Sequence, residues 1–283
     1  MIRQFASLCL LFGTAWTTIP QHNGYNVVFS DDFNGDQGSA VDGSKWDHHV
    51  PNKNNNDEVQ HYTYGTDNAH LSGDGQLYII PKKKGNDWYS AKLLSVGKWT
   101  PGAGKALLFE AEIWVPNFTG SPDKFAGLWP AFWAKGNSDR ISNPVKWPKN
   151  GEWDILEVTN KMSNQNQATL HFIDASGQHN GAFNGRVTYT GGKYHTWAVK
   201  VDRRKDDWKA QTLTWYLDGN QFYQVTGAMI GTLDQWKELA WSPFYIVLNV
   251  ALGGGYAGNP TENTISGYDA SMRVRYVGVY ETV

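Results

Sequence analysis

The sequence GEWDILEV, residues 151–158, combines the apolar residues of a packed strand with an unusual number of acids. Three of its positions carry carboxylates: Glu152, Asp154 and Glu157. An ionised carboxylate loses a large hydration free energy when it leaves water, so unpaired acids are costly on a packed strand. The stretch therefore predicts either a solvated edge strand or a strand whose acids line a functional surface.

The three acids share one face only if the strand contains an extra residue. Side chains of a strand alternate between its two faces, so Glu152 and Asp154 lie together while simple alternation turns Glu157 away. A β-bulge between Asp154 and Glu157 would add one residue and reset the alternation. We therefore expect all three carboxylates on one surface, with Ile155 and Val158 packed into the core.

Period-two patterns dominate the rest of the chain and predict strands. In residues 106–116, ALLFEAEIWVP, apolar residues at alternate positions predict a half-buried strand. A hairpin is expected over residues 211–225, with its turn at Asp218-Gly219, and residues 232–240 have a helical pattern. Further strands are expected at residues 194–202, 243–252 and 271–280. Many strands joined by Gly, Asn and Pro turns predict an all-β fold, a β-jelly-roll sandwich of two antiparallel sheets with a concave cleft.

Size and composition favour one domain with a substantial core. The chain has 283 residues, of which 40% are hydrophobic and 18% are charged, a balance that is not typical of disorder. The formal charge is −2 and the basic runs are short, so no nucleic acid is expected as a partner. The 14 Trp and 14 Tyr residues indicate flat apolar platforms for a ligand such as a sugar ring, in addition to core filling.

The N-terminal segment MIRQFASLCLLFGTAWTTIPQ has the pattern of a secretory signal peptide. Arg3 supplies a basic region, and the apolar stretch after it is well short of the roughly 20 residues that a membrane span requires. We expect residues 1–20 to be the signal peptide and residues 21–283 to form one secreted, monomeric domain with no membrane partner; a buried N-terminal segment is the alternative. Cys9, the single cysteine, lies inside this leader, so the mature domain would have no disulfide.

Two glutamates on one face of a strand are the residues that glycoside hydrolysis needs. One carboxylate attacks the anomeric carbon, and the other, kept protonated, donates to the leaving oxygen and then activates water. The two carboxyls of retaining enzymes are roughly 5–5.5 Å apart, against about 6.5–9.5 Å in inverting enzymes, and two Glu on one strand can reach the shorter separation. The crowding by Asp154 raises one carboxyl pKa and favours a protonated acid. The alternative for so short a motif is a solvated edge strand with three harmless acids.

The surrounding motifs resemble those of glycoside hydrolase family 16, in its laminarinase-like branch of endo-β-1,3(4)-glucanases. They are LWPAFWAKG, VKWPKNGEWDILEV, ATLHF, FYIVLNVALGGGYAGNP and MRVRYVGVY, in preserved order within residues 28–280. The bulged form E-x-D-x-x-E is the signature of that branch, whereas the lichenases and xyloglucan transferases of the family use E-x-D-x-E. The resemblance implies one catalytic domain that cleaves internal β-1,3 or mixed β-1,3/1,4 bonds of a glucan through a glycosyl-enzyme intermediate.

Carried over by position, the resemblance makes Glu152 the nucleophile, Asp154 its assistant and Glu157 the acid/base. It places His171 near the acid/base, with a surface strand histidine as the alternative. The residues that it implies for substrate binding are Trp129, Trp133, Trp147, His171, Tyr256, Asn54 and Lys92. Any of the three Trp residues could instead belong to the core, and Trp133, within a tighter apolar run, is the strongest candidate for that.

Three features depart from the family pattern. Tyr256 stands where the family usually has Trp, and Lys92 stands where it has Arg, so two cleft contacts are altered. Many relatives bind a structural calcium through an acid in the last strand, but the matching residue here is Arg275, which would repel a cation. Asp31 and Asp32 remain, and two acids make a weak calcium site. We therefore expect no required metal and no cofactor.

Three other functions fit the same motifs: a transglycosylase on the same glucans, a galactan hydrolase of the same family, and a non-catalytic β-glucan-binding protein. A transglycosylase shares the covalent intermediate, so the sequence leaves this alternative open. Sulfated galactans would call for Arg and Lys in the cleft, whereas the cleft segments are rich in Trp, Asn and acids. Binding relatives typically lose the catalytic glutamates, which are present here. GGGYAG, residues 253–258, fits a dinucleotide-binding motif, but Asn259-Pro260 blocks the helix that must follow it.

Overall fold

The computed structural model describes residues 18–120 and 122–283, and these residues form mainly strands. The strands are β1 Tyr25–Asp31, β2 Trp46–His48, β3 Gln60–Tyr62, β4 Ala69–Leu71, β5 Leu77–Ile79, β6 Lys82–Lys84, β7 Asp87–Ser90, β8 Lys92–Ser95, β9 Ala106–Trp114, β10 Leu128–Gly136, β11 Glu152–Glu157, β12 Gln165–Ile173, β13 His179–Thr188, β14 Tyr194–Asp202, β15 Thr212–Leu217, β16 Asn220–Thr226, β17 Phe244–Leu252 and β18 Met272–Thr282. Most of the predicted leader, with Cys9, lies outside the described residues.

Helical structure is confined to short turns within the described part of the chain. The α-helices are α1 Gly227–Ile230, α2 Leu233–Trp236 and α3 Gly254–Ala257. The 3₁₀ turns are Pro122–Phe125, Asn137–Arg140, Asn160–Met162, Trp208–Ala210 and Tyr268–Ala270, and a π turn spans Lys237–Trp241. No helix among the described residues combines the length and apolar character that a membrane crossing needs.

Two antiparallel sheets pack face to face, which confirms the predicted all-β jelly-roll sandwich. The front sheet has the strand order β13-β12-β11-β10-β17-β8-β2. The back sheet has the order β16-β15-β14-β9-β18-β5-β4, and β1 also pairs with β18. A small third sheet, β3-β7-β6, contains a parallel pair between β3 and β7, which the sequence patterns did not predict.

The predicted strands and turns lie where the sequence indicated. The four long strands β9, β14, β17 and β18 match the predicted segments within about two residues, the usual uncertainty of a boundary. The hairpin of β15 and β16 turns at Asp218 and Gly219, which have φ values of 50° and 74°. Positive φ at both central residues is the conformation that Asp-Gly favours, and it matches the twist of the strands. The helical pattern over residues 232–240 is confirmed, since α2 ends at Trp236 and the π turn continues it to Trp241.

Strand β9 is more buried than the sequence predicts. It was expected to be half-buried, but Glu110, on its polar side, is only 6% exposed. Its carboxylate accepts hydrogen bonds from Tyr276 Oη at 2.8 Å and from His22 Nε2 at 3.0 Å. Apolar and polar residues do alternate along β9, but β9 lies in the middle of the back sheet and its neighbours cover this acid.

The core between the sheets is filled largely by aromatic rings. Trp153 of β11 stacks on Phe244 of β17, with ring centroids 3.7 Å apart and an interplanar angle of 12°. Phe109 of β9 meets the same indole edge-on at 5.5 Å, which joins the back sheet to the front sheet. The fully buried Trp residues include Trp46, Trp153, Trp197, Trp215 and Trp236. Part of the Trp excess therefore serves packing, as expected.

Candidate active site

The acid strand β11 contains the predicted bulge. In its antiparallel pairing with β10, Glu157 lies opposite Ala131, and Asp154 lies opposite Trp133. The register shifts between these pairs, so Ile155 is an extra residue with no partner on β10. One inserted residue resets the alternation of side chains. The prediction that Glu157 shares a face with Glu152 and Asp154 is therefore confirmed.

The burial of β11 separates an apolar side from an acidic side. Trp153, Ile155 and Leu156 are at most 1% exposed and belong to the core. The carboxylates point out of the front sheet, yet they are shielded, since the side chains of Glu152 and Asp154 are 15% and 7% exposed. Because β11 also has neighbours on both sides, the alternative of a solvated edge strand is wrong. We call the surface that carries the three acids the cleft face.

Asn166 and Trp215 hold the bulge from two directions. Asn166 of β12 accepts a hydrogen bond from the backbone N–H of Glu157 at 2.7 Å and donates to the carbonyl of Ile155 at 2.9 Å. Trp215 of the back sheet donates its indole N–H to the carbonyl of Asp154 at 2.9 Å. The backbone on both sides of the extra residue thus has defined partners, which a bulge otherwise leaves unpaired.

His171 lies beside the acids, but not where the resemblance implied. It is paired by register with Glu152 on the adjacent strand. Its Nε2 is 3.2 Å from Asp154 Oδ2 and 4.0 Å from Glu152 Oε1. The contact with Asp154 is the shorter of the two, so the imidazole pairs mainly with Asp154. Because its position on β12 places His171 opposite Glu152 at the start of β11, the expectation of a histidine near the acid/base Glu157 is corrected to one near Glu152 and Asp154.

A second histidine orients the first. His171 Nδ1 is 2.9 Å from His179 Nε2, and the ring of Trp147 lies 4.7 Å from that of His179. Burial lowers the pKa of His171, but the hydrogen bond to Asp154 and the charges of Asp154 and Glu152 outweigh burial, so the pKa of His171 is raised. Burial and the neighbouring His171 lower the pKa of the exposed His179. His179 was missed because its partner is on a neighbouring strand.

Burial and mutual repulsion keep protons on the two glutamates. Burial, followed by the charge of Asp154, raises the pKa of Glu152 to about 7, against the opposing effect of His171. The pKa of Glu157 is raised well above its usual range, by burial first and then by the charges of Asp154 and Glu152, while the Trp129 indole acts in the opposite direction. The carboxyl of Glu157 thus senses the charge of Glu152. This is the electrostatic pattern of an acid and a nucleophile that share one site.

Aromatic residues flank the acids on one side of the cleft face. Trp129 and Tyr256 have ring centroids 5.1 Å apart and pack with Ala251 and Ala257. Burial first, and then the charge of Glu157, raise the pKa of Tyr256. Both rings therefore lie beside the acids, which agrees with the predicted positions of Trp129 and Tyr256.

On the other side, Trp133 packs against a second small apolar cluster of Leu94, Tyr245 and Val247, separate from the main core. The alternative that Trp133 is a core residue is therefore wrong, because it lies opposite Asp154 on the cleft face. Trp147, on a loop, is 46% exposed and leaves an indole surface open to solvent.

Lys92 lies between two rings on the cleft face. Its Nζ is 4.7 Å from the ring centroid of Trp133 and 5.8 Å from that of Tyr62. Asn249 accepts from the indole N–H of Trp133 at 2.8 Å and donates to Tyr62 Oη at 3.1 Å. Burial lowers the pKa of Lys92, although the charges of Glu58 and Glu152 oppose the change. Sequence reasoning found Lys92 but missed Tyr62 and Asn249, which lie far apart in sequence.

Asn54 has a role within its own loop. Its amide donates to the backbone carbonyl of Glu58 at 3.4 Å and to that of Gln60. These bonds fix the segment that leads into β3. The suggested contact between Asn54 and a substrate stays a prediction.

One group of described residues has the spacing of metal ligands. Single ligand atoms of Glu152, Asp154 and His171 all lie within 4.8 Å of one another. A carboxylate and imidazole set suits a divalent transition metal. A cation bound there would occupy Glu152, the expected nucleophile, so this group fits the chemistry of the acids better than a resident cofactor.

The residues considered for calcium have other partners. Asp31 accepts from the indole N–H of Trp46 at 2.7 Å and forms an ion pair with Lys45 at 3.2 Å. Arg275 pairs with Glu112 at 3.2 Å. The expectation that no metal is required stays a prediction.

Comparisons with known proteins found a matching family model, relatives and solved structures. The family model described as XgeA-like, catalytic GH16 domain, matches residues 106–229. The chain is 28% identical to glucan endo-1,3-beta-glucosidase A1 of Niallia circulans and 29% identical to the clotting factor G alpha subunit of Tachypleus tridentatus, over 93% and 91% of this chain. It spans only 39% and 34% of the length of these two relatives. The crystal structure of an endo-1,3-beta-glucanase from Streptomyces sioyaensis is 29% identical, with a TM-score of 0.83 over 94% of this chain and 99% of that chain.

The raised pKa of Glu152 predicts a stability change that depends on pH. Its folded pKa of about 7 lies above the ordinary value of 4.5, so its contribution to stability is present below about pH 4.5 and is lost as pH rises toward 7. Glu152→Gln removes this effect. The variant should gain on the order of 3 kcal/mol relative to wild type between pH 4.5 and 8, measured by urea unfolding at each pH. The exposed Glu262→Gln is the matched control, and a pH-independent difference for Glu152→Gln would contradict the prediction.

Proposed function

We propose that the chain is a member of glycoside hydrolase family 16, and that it is a secreted, endo-acting, retaining hydrolase of β-1,3- or mixed β-1,3/1,4-glucan. The observation that carries the proposal is the register shift at Ile155, which brings Glu157 onto the face of Glu152. The names of the Niallia relative and of the Streptomyces structure support the β-1,3 linkage.

In the proposed mechanism of a retaining glycosidase, Glu152 is the nucleophile and Glu157 is the acid/base. The Glu152 carboxylate attacks the anomeric carbon while Glu157 gives its proton to the leaving glycosidic oxygen. The bond to the leaving sugar breaks as the bond to Glu152 forms. Glu157, now ionised, takes a proton from water, which attacks the anomeric carbon and releases Glu152. The high pKa of Glu157 favours the protonated form that the first step needs.

Asp154 supports both glutamates in this scheme. Its charge raises the pKa of each one, and Glu157 depends on that effect to remain an acid. The imidazole of His171, 3.2 Å from Asp154 Oδ2, balances the charge of Asp154 and limits the rise at Glu152. His171, Lys135 and Lys92 lower the pKa of Glu152 and have no such effect on Glu157, which supports Glu152 as the ionised nucleophile and Glu157 as the acid.

The aromatic residues of the cleft face suit a neutral glucan. The C–H faces of glucose rings stack on indole and phenol rings, which Trp129, Trp147 and Tyr256 supply. The two lysines closest to Glu152 already have partners: Lys92 lies over the Trp133 ring, and Lys135 forms an ion pair with Asp139 at 2.8 Å. A sulfated galactan would call for unpaired cations along its path.

The remaining expectations form part of the same proposal. The leader sequence supports secretion, and we propose a monomer that acts without a cofactor on a polysaccharide. Whether water or a sugar hydroxyl resolves the intermediate separates hydrolysis from transglycosylation.

A second candidate function is binding of β-glucan without cleavage. One relative is named as a clotting factor subunit and not as a glucanase. The shielded acids with raised pKa values favour hydrolysis, because a binding protein has no need to hold two carboxyls in this costly arrangement.

Substrate choice is tested with purified protein and five polysaccharides: laminarin, lichenan, barley glucan, agarose and carrageenan. We expect new reducing ends from laminarin first, with a rapid fall in viscosity because cleavage is internal. Binding to laminarin without any reducing ends would favour the second candidate. Release from a galactan alone would overturn the substrate assignment.

Loss of the nucleophile should separate binding from turnover. Glu152→Ala should lower kcat on laminarin by on the order of 10³-fold or more while affinity electrophoresis shows unchanged laminarin binding. Azide should rescue cleavage of an aryl β-laminaribioside by Glu152→Ala and give the α-glycosyl azide, since azide replaces the missing carboxylate. Glu262→Ala is the exposed control. A β-azide product would assign the nucleophile to another residue.

The pH dependence should follow the two glutamates. Activity needs ionised Glu152 and protonated Glu157, so kcat/KM should rise as pH increases through about 7 and fall again at higher pH. Asp154→Asn removes a charge that raises both pKa values, so both limbs of the profile should move to lower pH. Limbs that stay in place would contradict the assigned roles.

A further inference from the structure

We propose that Asn166 is a positioning residue for the acid/base: its side-chain amide holds the β11 bulge and thereby aims the Glu157 carboxyl. The inference rests on the proposed role of Glu157 and adds a residue that touches neither substrate nor the reacting atoms. It assigns to one buried amide the geometry on which the acid step depends.

The pairing of β11 with β12 ends just before the acid/base. The two strands are in register from Glu152 opposite His171 to Asp154 opposite Thr169. Beyond that point no residue of β11 has a register partner on β12. Backbone groups of Ile155 and Glu157 that would continue the ladder need another partner, because buried N–H and C=O groups are almost always hydrogen-bonded.

The amide of Asn166 replaces the missing ladder. It accepts from the N–H of Glu157 at 2.7 Å and donates to the carbonyl of Ile155 at 2.9 Å, so both of its polar atoms are used. Asn166 is fully buried and stands in line with the apolar residues Ala168 and Leu170, all 0% exposed. An amide on the core side of a strand has a cost unless its hydrogen bonds are made, and here they are made to the bulge.

Loss of the amide would release the bulge. Each buried backbone group left without a partner costs about 1–3 kcal/mol. A return to regular pairing would satisfy these groups, but a shift by one residue moves the side chains to the opposite face. Glu157 would then turn toward the core while Glu152, within the paired part of the strand, stays in place. The amide therefore affects the acid step more than the nucleophilic step.

The test compares substrates that differ in their need for an acid. Laminarin has a poor leaving group that must be protonated, whereas a 2,4-dinitrophenyl β-laminaribioside has one that departs without a proton. Asn166→Leu keeps the approximate volume and removes both hydrogen bonds. We expect kcat/KM on laminarin to fall by about 10²-fold or more, the range of general acid catalysis. The fall in kcat/KM on the aryl glycoside should be at least about ten times smaller than the fall on laminarin.

Two further variants make the result specific. Asn68 is a buried amide that donates to the carbonyls of Ile80 and Tyr89 at 2.8 and 3.1 Å, away from the acids. Asn68→Leu should lower stability and leave the ratio of the two kcat/KM values unchanged. Asn166→Asp keeps the shape and, while protonated, both hydrogen bonds. At low pH, the ratio of laminarin activity to aryl glycoside activity of Asn166→Asp should approach the wild-type ratio. As pH rises, this ratio should fall at a lower pH than it does in wild type. Asn166→Asp therefore tests the positioning role even if Asn166→Leu does not fold.

The outcomes separate this inference from the proposed function. A wild-type protein that cleaves neither substrate would refute the proposed function. If wild type is active and Glu157→Gln loses laminarin activity selectively, Glu157 is the acid. Equal losses on both substrates in Asn166→Leu, together with an unshifted ratio in Asn166→Asp, would then overturn the positioning role alone.

Discussion

The extra residue in β11 and the amide that holds it are the constraint on which the cleft face depends. A regular strand would divide Glu152 and Glu157 between the core and solvent. The insertion of Ile155 unites them on one surface, but it leaves the backbone without its ladder. Asn166 supplies the missing partners from β12, and Trp215 supports the Asp154 carbonyl from the back sheet. The placement of the acids and the packing of the sheets thus depend on the same local hydrogen bonds.

The two sides of β11 have opposite effects on the stability of the fold. Three shielded carboxyls in six residues oppose folding, and burial and repulsion raise the pKa values of Glu152 and Glu157. The opposite side of β11 offsets that cost through the stacking of Trp153 on Phe244 and the edge-on contact with Phe109. One strand therefore carries a well-packed apolar side and a strained acidic side. The rigid apolar side is what allows the acids to keep their places.

Much of this could be read from local patterns, and the rest could not, for a physical reason. Alternation with period two predicts the strands and even the bulge, since only an inserted residue reconciles the position of Glu157 with a shared face. Patterns along one strand do not show what lies across the sheet. They predicted Glu157 as the neighbour of His171, where the structure has Glu152 and Asp154. They also predicted that the polar side of β9, which carries Glu110, faces solvent, and they gave Asn166 no role. The signal for Asn166, an amide in line with Ala168 and Leu170, is visible in the sequence, but its partners are not.

The contact between His171 and His179 limits how much charge the cluster can hold. At 2.9 Å one ring nitrogen must accept the hydrogen that the other donates, so the two imidazoles together carry at most one positive charge while the contact lasts. A proton taken up at the exposed His179 is thereby equivalent, in net charge, to one held beside Asp154. The pair therefore holds its single positive charge either beside the shielded Asp154 carboxylate or at the solvent-exposed ring.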